Sequence, residues 1–123
     1  GAISSACPKA VRRAEEYINS NLSEPIRVED LVAVSGVSAR SIFDGFTRFR
    51  DMTPMRYVKF RRLHKVRELL RAADDTTMVS SVAVEWGFNH FGRFAKDYAQ
   101  AFGESPSETL RAAKNGHRVA RQN

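Results

Sequence analysis

The chain has 123 residues, room for one ordinary domain or two very small ones. Apolar residues make up 42% and charged residues 28%, which excludes a disordered chain, and no apolar run nears the roughly 18 residues that cross a bilayer. Twenty Lys and Arg against fourteen Asp and Glu leave +6, and a single cysteine, Cys7, excludes a disulfide framework or a Cys-based zinc finger. The opening Gly1-Ala2-Ile3 lacks a secretory pattern. A start on Gly instead of Met is expected of a piece cut from a longer protein.

Strand signals are weak and helical periodicity is strong. Residues 8–22 place Val11, Ala14, Tyr17, Ile18 and Leu22 on one stripe, with Arg12, Arg13, Glu15 and Glu16 outside it. After Pro25 a short apolar helix is expected from Val28 to Val34. Ser35-Gly36-Val37 makes a tight turn, and Ser38 is a good N-cap for a helix carrying Ile42, Phe46 and Phe49 inward. Thr53-Pro54 opens a long helix to about Ala72, about 28 Å at 1.5 Å per residue, with Met55, Val58, Leu63, Val66, Leu69 and Leu70 as its stripe. Ala73-Asp74-Asp75 reads as a turn.

The pattern then repeats. Val79 to Glu85 is a short apolar helix, Trp86-Gly87-Phe88 is the turn, and Asn89 is the expected cap of a helix carrying Phe94, Tyr98 and Phe102. Ser105-Pro106 opens a final helix, and Ser105 with Glu108 has capping-box spacing. Gly36 maps to Gly87 at an offset of 51, while Ile42, Phe46, Thr53 and Pro54 map to Phe94, Tyr98, Ser105 and Pro106 at 52. One residue is therefore added just after the second turn. A short helix, a turn built on Gly and a second helix with one buried stripe form a helix-turn-helix. In each unit the apolar residue after the Gly, Val37 or Phe88, is expected to plug the corner.

Charge is concentrated in the middle. Between Gly36 and Arg71 stand ten cations and three anions, and 15 of the chain's 20 cations are Arg. Arginine suits both phosphate and guanine-edge recognition, so this segment reads as a polyanion footprint or, alternatively, as a solvated helix face.

Residues 79–111, VSSVAVEWGFNHFGRFAKDYAQAFGESPSETLR, resemble the second helix-turn-helix of the AraC/XylS family of bacterial transcription regulators. Val82-Ala83, Gly87-Phe88, Phe94, Lys96, Tyr98, Phe102-Gly103, Ser105-Pro106 and Arg111 carry the likeness. LVAVSGVSARSIFDGFTRFRDMTPMRYV resembles the family's first unit, so the match runs from about Ala10 to Arg111. The resemblance implies an all-α, homeodomain-like fold of seven helices, with two helix-turn-helix subdomains joined by a long connecting helix. Boundaries are expected at 8–53, 54–73 and 76–115, with a disordered basic tail over 116–123. Three positions depart from the family: Asp51 replaces a Gly, Ala99 replaces a frequent Lys, and Gly92 lies in the second recognition helix. Asp can take a left-handed backbone, and Gly costs a helix interior roughly 1 kcal/mol.

The resemblance further implies sequence-specific binding to double-stranded DNA, each recognition helix entering a successive major groove. Base-reading candidates are Arg40, Phe43 and Asp44 on the first helix and His90, Gly92, Arg93 and Lys96 on the second. Arg40 suits guanine, Phe43 a thymine methyl and Asp44 a cytosine amine. Packing on the connecting helix is open for Phe43, orientation of Arg40 or Arg48 for Asp44, and a plain surface role for Arg40 and His90. Phe91 stands between core and groove. Phosphate candidates are Ser38, Arg48, Arg56 and Asn89. Implied partners are double-stranded DNA, RNA polymerase and an effector-binding or dimerisation domain on the N-terminal side, in bacterial cytoplasm, with no membrane. The alternative is a helical interaction module whose basic face takes RNA, a membrane or a protein. No catalytic residue, metal or cofactor is expected: His64, His90 and His117 are unconnected, and HExxH, GxSxG and Gly-rich phosphate loops are missing.

Overall fold

A computed structural model describes residues 8–122, with side chains described through Gly116. The first and last residues of the chain, His117 and Cys7 included, lie outside what is described for side chains. Among the described residues there are seven helices and no strand: α1 (Pro8–Ser20), α2 (Val28–Ser35), α3 (Ala39–Arg50), α4 (Pro54–Arg71), α5 (Val79–Glu85), α6 (Phe91–Phe102) and α7 (Pro106–Gln122). Two compact units divide inside α4, between Arg61 and Arg62. The connecting helix therefore contributes a half to each unit. From residue 116, where a disordered tail was expected, α7 continues to Gln122.

The helix ends follow capping chemistry. Ser38 Oγ accepts from the Ser41 amide at 3.1 Å, Thr53 Oγ1 from the Arg56 amide at 3.3 Å, and Ser105 Oγ from the Glu108 amide at 3.1 Å. Arg27 is held at the start of α2 by its amide, which donates to Asp30 Oδ2 at 2.9 Å. At the other ends the chain turns left-handed. Gly36 has φ 77°, Gly103 has φ 73°, and Asp51 takes φ 59° in the place of the family's Gly.

In the first unit Val11, Ala14, Ile18, Leu31, Ile42, Phe46, Tyr57 and Val58 are buried. The Phe46 and Tyr57 rings pack with centroids 5.4 Å apart. In the second unit the core is Leu63, Val66, Leu70, Ala83, Phe94 and Tyr98, flanked by Val79, Val82, Trp86, Phe88, Phe102 and Leu110. Five expected core positions differ, Tyr17 and Phe102 being only half-buried. Phe49 is exposed, lying under the Arg48 guanidinium at 5.8 Å, and Met55 is exposed as well. Leu69 is half-buried, while Tyr57, absent from the expected stripe, is buried. For Met55, Leu69 and Tyr57 the reason is that α4 serves two cores, so its buried positions do not lie on one stripe.

Candidate functional site

The two recognition helices are built alike. Both α3 and α6 span 12 residues, and their first residues, Ala39 and Phe91, stand 52 apart. Each buries one face: Ile42, Gly45 and Phe46 on α3, Phe94 and Tyr98 on α6. The turns that aim them rest on glycines with positive φ, 77° at Gly36 and 94° at Gly87. A side chain at Gly87 would meet the Arg62 guanidinium, 3.2 Å from the position of its Cβ. Phe88 follows and packs on Phe94 at 4.8 Å, plugging its corner as expected.

The opposite face of α3 presents Arg40, Phe43, Asp44 and Thr47, all exposed. Phe43 is 43% accessible, so packing on the connecting helix does not hide it. Asp44 is exposed, and no ion pair to Arg40 or Arg48 is seen among the described residues. Ser38 is exposed, but its hydroxyl is engaged, accepting from the Ser41 amide and donating to Ser41 Oγ at 3.0 Å. Arg48 and Arg56 are exposed.

On α6 the exposed face carries Phe91, Gly92, Arg93 and Lys96. Phe91 is 50% accessible, with one edge on Phe94 at 5.9 Å, and so belongs to the surface. Two details correct the sequence reading. The cap of α6 is His90, whose Nδ1 accepts from the Arg93 amide at 3.1 Å. Asn89 is the residue added in the second turn; it is exposed and lies one step before the cap. Gly92 is the second residue of the helix, not an interior one, and a Cβ there would touch only the His90 ring, at 3.6 Å. Its cost to the helix is therefore below that of an interior glycine. The offset of 52 between Ser38 and His90 is the signal that could have identified this cap.

The basic segment is less available than its charge suggests. Arg50 pairs with Glu15, and Arg61 Nε donates to Asn19 Oδ1 at 3.0 Å. Tyr57 joins them, donating to Glu15 Oε2 at 3.3 Å. In the second unit Arg67 lies over the Phe102 ring at 4.5 Å and Lys65 over Trp86 at 5.5 Å. Burial pushes the Arg62 guanidinium below its ordinary value. Arg50, Arg61, Arg62, Lys65 and Arg67 are thus engaged or partly buried, while Arg40, Arg48 and Arg56 are exposed, Arg48 with its guanidinium over Phe49.

A family model described as "Helix-turn-helix domain" matches residues 31–112. The crystal structure of a probable AraC family transcriptional regulator from Rhodopseudomonas palustris superposes with a TM-score of 0.81 at 45% identity, covering 85% of this chain and 97% of that one. The chain belongs to the AraC family. Among curated relatives, the Probable thc operon regulatory protein of Rhodococcus erythropolis is 44% identical over 107 residues, 86% of this chain and 32% of that protein. The XylDLEGF operon transcriptional activator of Pseudomonas putida is 36% identical over 103 residues, covering 83% and 32%. The chain spans about a third of the length of these curated relatives. They are transcriptional regulators, and the resemblance read from the sequence is confirmed, together with its seven-helix all-α fold.

Proposed function

We propose that this chain is the sequence-reading part of a bacterial transcription regulator, with α3 and α6 each entering a major groove of duplex DNA. The observation that supports it most is the parallel construction of the two helices. In each, one face is locked into a core while the other leaves arginine and further reading groups exposed near the N-terminal end, where such helices reach base edges. On α3 these are Arg40, Phe43 and Asp44; on α6 they are Gly92, Arg93 and Lys96. Arg40 and Arg93 suit guanine, Phe43 a thymine methyl, and Asp44 a cytosine amine. Gly92 lets the backbone approach the bases. Arg48 and Arg56 clamp phosphates, with Ser38 and Asn89 beside the backbone at the two helix starts.

The action is binding, not catalysis. DNA-bound regulator then engages RNA polymerase, and an N-terminal domain, for which the relatives' greater length leaves room, senses an effector or dimerises. The workplace is the bacterial cytoplasm; among the described residues no helix is long and apolar enough to cross a membrane. The alternative of a basic module for RNA, membrane or protein has no observation in its favour. Selection of bound sites from a random duplex library tests the proposal: enrichment of one sequence whose affinity collapses on scrambling supports it. Equal retention of all duplexes would overturn it.

A further inference from the structure

The two turns that aim the recognition helices share a backbone conformation and differ in what covers them. Gly36 and Gly87 are both left-handed, at φ 77° and 94°. Around Gly36 the space is open: among the described residues no atom comes within 4 Å of where its Cβ would stand. At Gly87 the same position faces the Arg62 side chain, with Nη1 at 3.2 Å, Cζ at 3.4 Å and Nε at 3.7 Å. Three atoms of one guanidinium at such similar distances place the flat group broadside on the turn. One helical turn further along α4, the Lys65 ammonium lies 5.5 Å from the ring centroid of Trp86, the residue before Gly87. Positions 62 and 65 share a helix face, so the connecting helix lays two cations on two successive residues of this turn. Both are half-buried, and burial holds the Arg62 guanidinium below its ordinary value. Taking a charge partly out of water is costly, and an apolar side chain would cover the turn more cheaply. What arginine adds is a flat, weakly hydrated plane that can lie on a bare backbone.

We propose that Arg62 is a positioning residue for α6: its guanidinium, lying flat on Gly87, fixes the angle between α5 and α6 and with it the aim of Arg93 and Lys96. The α3 helix is aimed by a turn without such a cover. Reading groups work only when held within about 0.5 Å of contact geometry, so a turn left free to flex misplaces them. A bidentate guanine contact discriminates roughly five- to 150-fold, and a misaimed one loses part of that factor. The inference rests on the proposed DNA reading, but half of its test does not.

In the free protein, residual dipolar couplings read the angle between α5 and α6. Arg62→Met keeps an unbranched stem and removes the flat cation, while Arg62→Lys keeps the charge on a compact head. Both are expected to change that angle and to shift the Gly87 and Phe88 amide resonances, with the angle between α2 and α3 unchanged. On the selected duplex, both should lower base preference in the α6 block at least about threefold while the α3 block holds. Leu110→Ala, which weakens the same core from α7, is the control for stability. It is expected to lower the denaturant midpoint without moving the angle or the preference of the folded protein. An α5–α6 angle unchanged in both Arg62 variants overturns the proposal. So does an equal loss of α6 preference in Leu110→Ala, which would make Arg62 a contributor to stability alone. A loss shared evenly by the α3 and α6 blocks overturns it too, since it would report only the missing charge. Should Arg62→Met not fold, Arg62→Lys carries the same measurements. If α6 reads no bases at all, the change of angle still stands and the failure lies in the DNA reading.

Discussion

Gly45 lies so close to Val11 that a Cβ on Gly45 would stand 2.7 Å from the Val11 Cγ2. The glycine is in the middle of α3, where Ala would raise intrinsic helix stability by about 1 kcal/mol. Packing outweighs that gain. Val11 is 2% exposed and β-branched, so its methyl cannot swing away, and overfilling a tight core costs roughly 1–3 kcal/mol. Gly45→Ala is therefore expected to lower stability despite its better propensity, as read by denaturant unfolding. In a double-mutant cycle with Val11→Ala the two changes should compensate, because each makes room for the other. A stabilised Gly45→Ala would mean that α1 can shift off α3 at little cost.

Tyr98 gives the second unit a pH limit. Its hydroxyl donates to Thr109 Oγ1 at 2.7 Å, and Thr109 in turn donates to Glu104 Oε2. Burial, with the Glu104 charge assisting, pushes the phenol above its ordinary value of 10.0. The folded unit thus holds this proton more tightly than the unfolded chain does. The contribution is complete below about pH 10 and is lost as pH rises through the folded value. Tyr98→Phe is expected to cost about 1 kcal/mol at neutral pH by breaking the bond to Thr109, and to flatten the alkaline loss of stability. Denaturant midpoints of both proteins from pH 7 to 11 check this. Parallel curves would remove Tyr98 as the cause.

How far the sequence alone carries the fold is clear from particular residues. Caps and turns are local chemistry, so Ser38, Thr53, Gly36 and even the left-handed Asp51 are legible from residue type. Ile42, Phe46, Phe94 and Tyr98 follow from periodicity, because α3 and α6 each face one core. The α4 helix faces two, and a single stripe cannot describe it: Tyr57 is missed and Met55 wrongly included. The close approach of Gly45 to Val11 joins residues 34 apart, which no local pattern carries. At the site, exposure of Arg40, Asp44, Arg93 and Lys96 follows from the complement of the buried stripes. Engagement of Arg50, Arg61 and Arg67 in packing does not, since a guanidinium pairs across elements whose arrangement only the fold supplies.

Arg93 and Arg56 are expected to fail in different ways. Arg93 is exposed on the first turn of α6, and a bidentate guanine contact there is worth ~1–3 kcal/mol. Arg93→Ala should weaken the selected site and relax preference at one or two base pairs. Arg56, exposed on the first turn of α4, is the proposed phosphate clamp. Arg56→Ala should weaken all duplexes alike and reduce the salt slope by about one unit. Titrations of matched, point-altered and scrambled duplexes at several salt concentrations separate the two. Mutants indistinguishable in sequence preference would remove both assignments.

The binding site should carry the difference between the two helices. A dimeric helix-turn-helix protein with one reading helix per chain sees a palindrome, because both half-sites meet the same side chains. Here a single chain holds two helices whose proposed reading faces are unlike: Arg40, Phe43 and Asp44 against Gly92, Arg93 and Lys96. Identical half-sites would satisfy one set and leave the other mismatched, at a cost of roughly 1–3 kcal/mol for each wrong base pair. A monomer is therefore expected to protect one asymmetric site of about 15–20 base pairs, with two blocks of preference about 10–11 base pairs apart, one turn of duplex. Exchanging the two blocks should abolish specific binding while leaving composition unchanged. Footprinting with base-by-base substitution decides the matter. A palindrome occupied by two chains would contradict the two-helix reading, and a single contiguous block would mean that only α3 or only α6 reads bases.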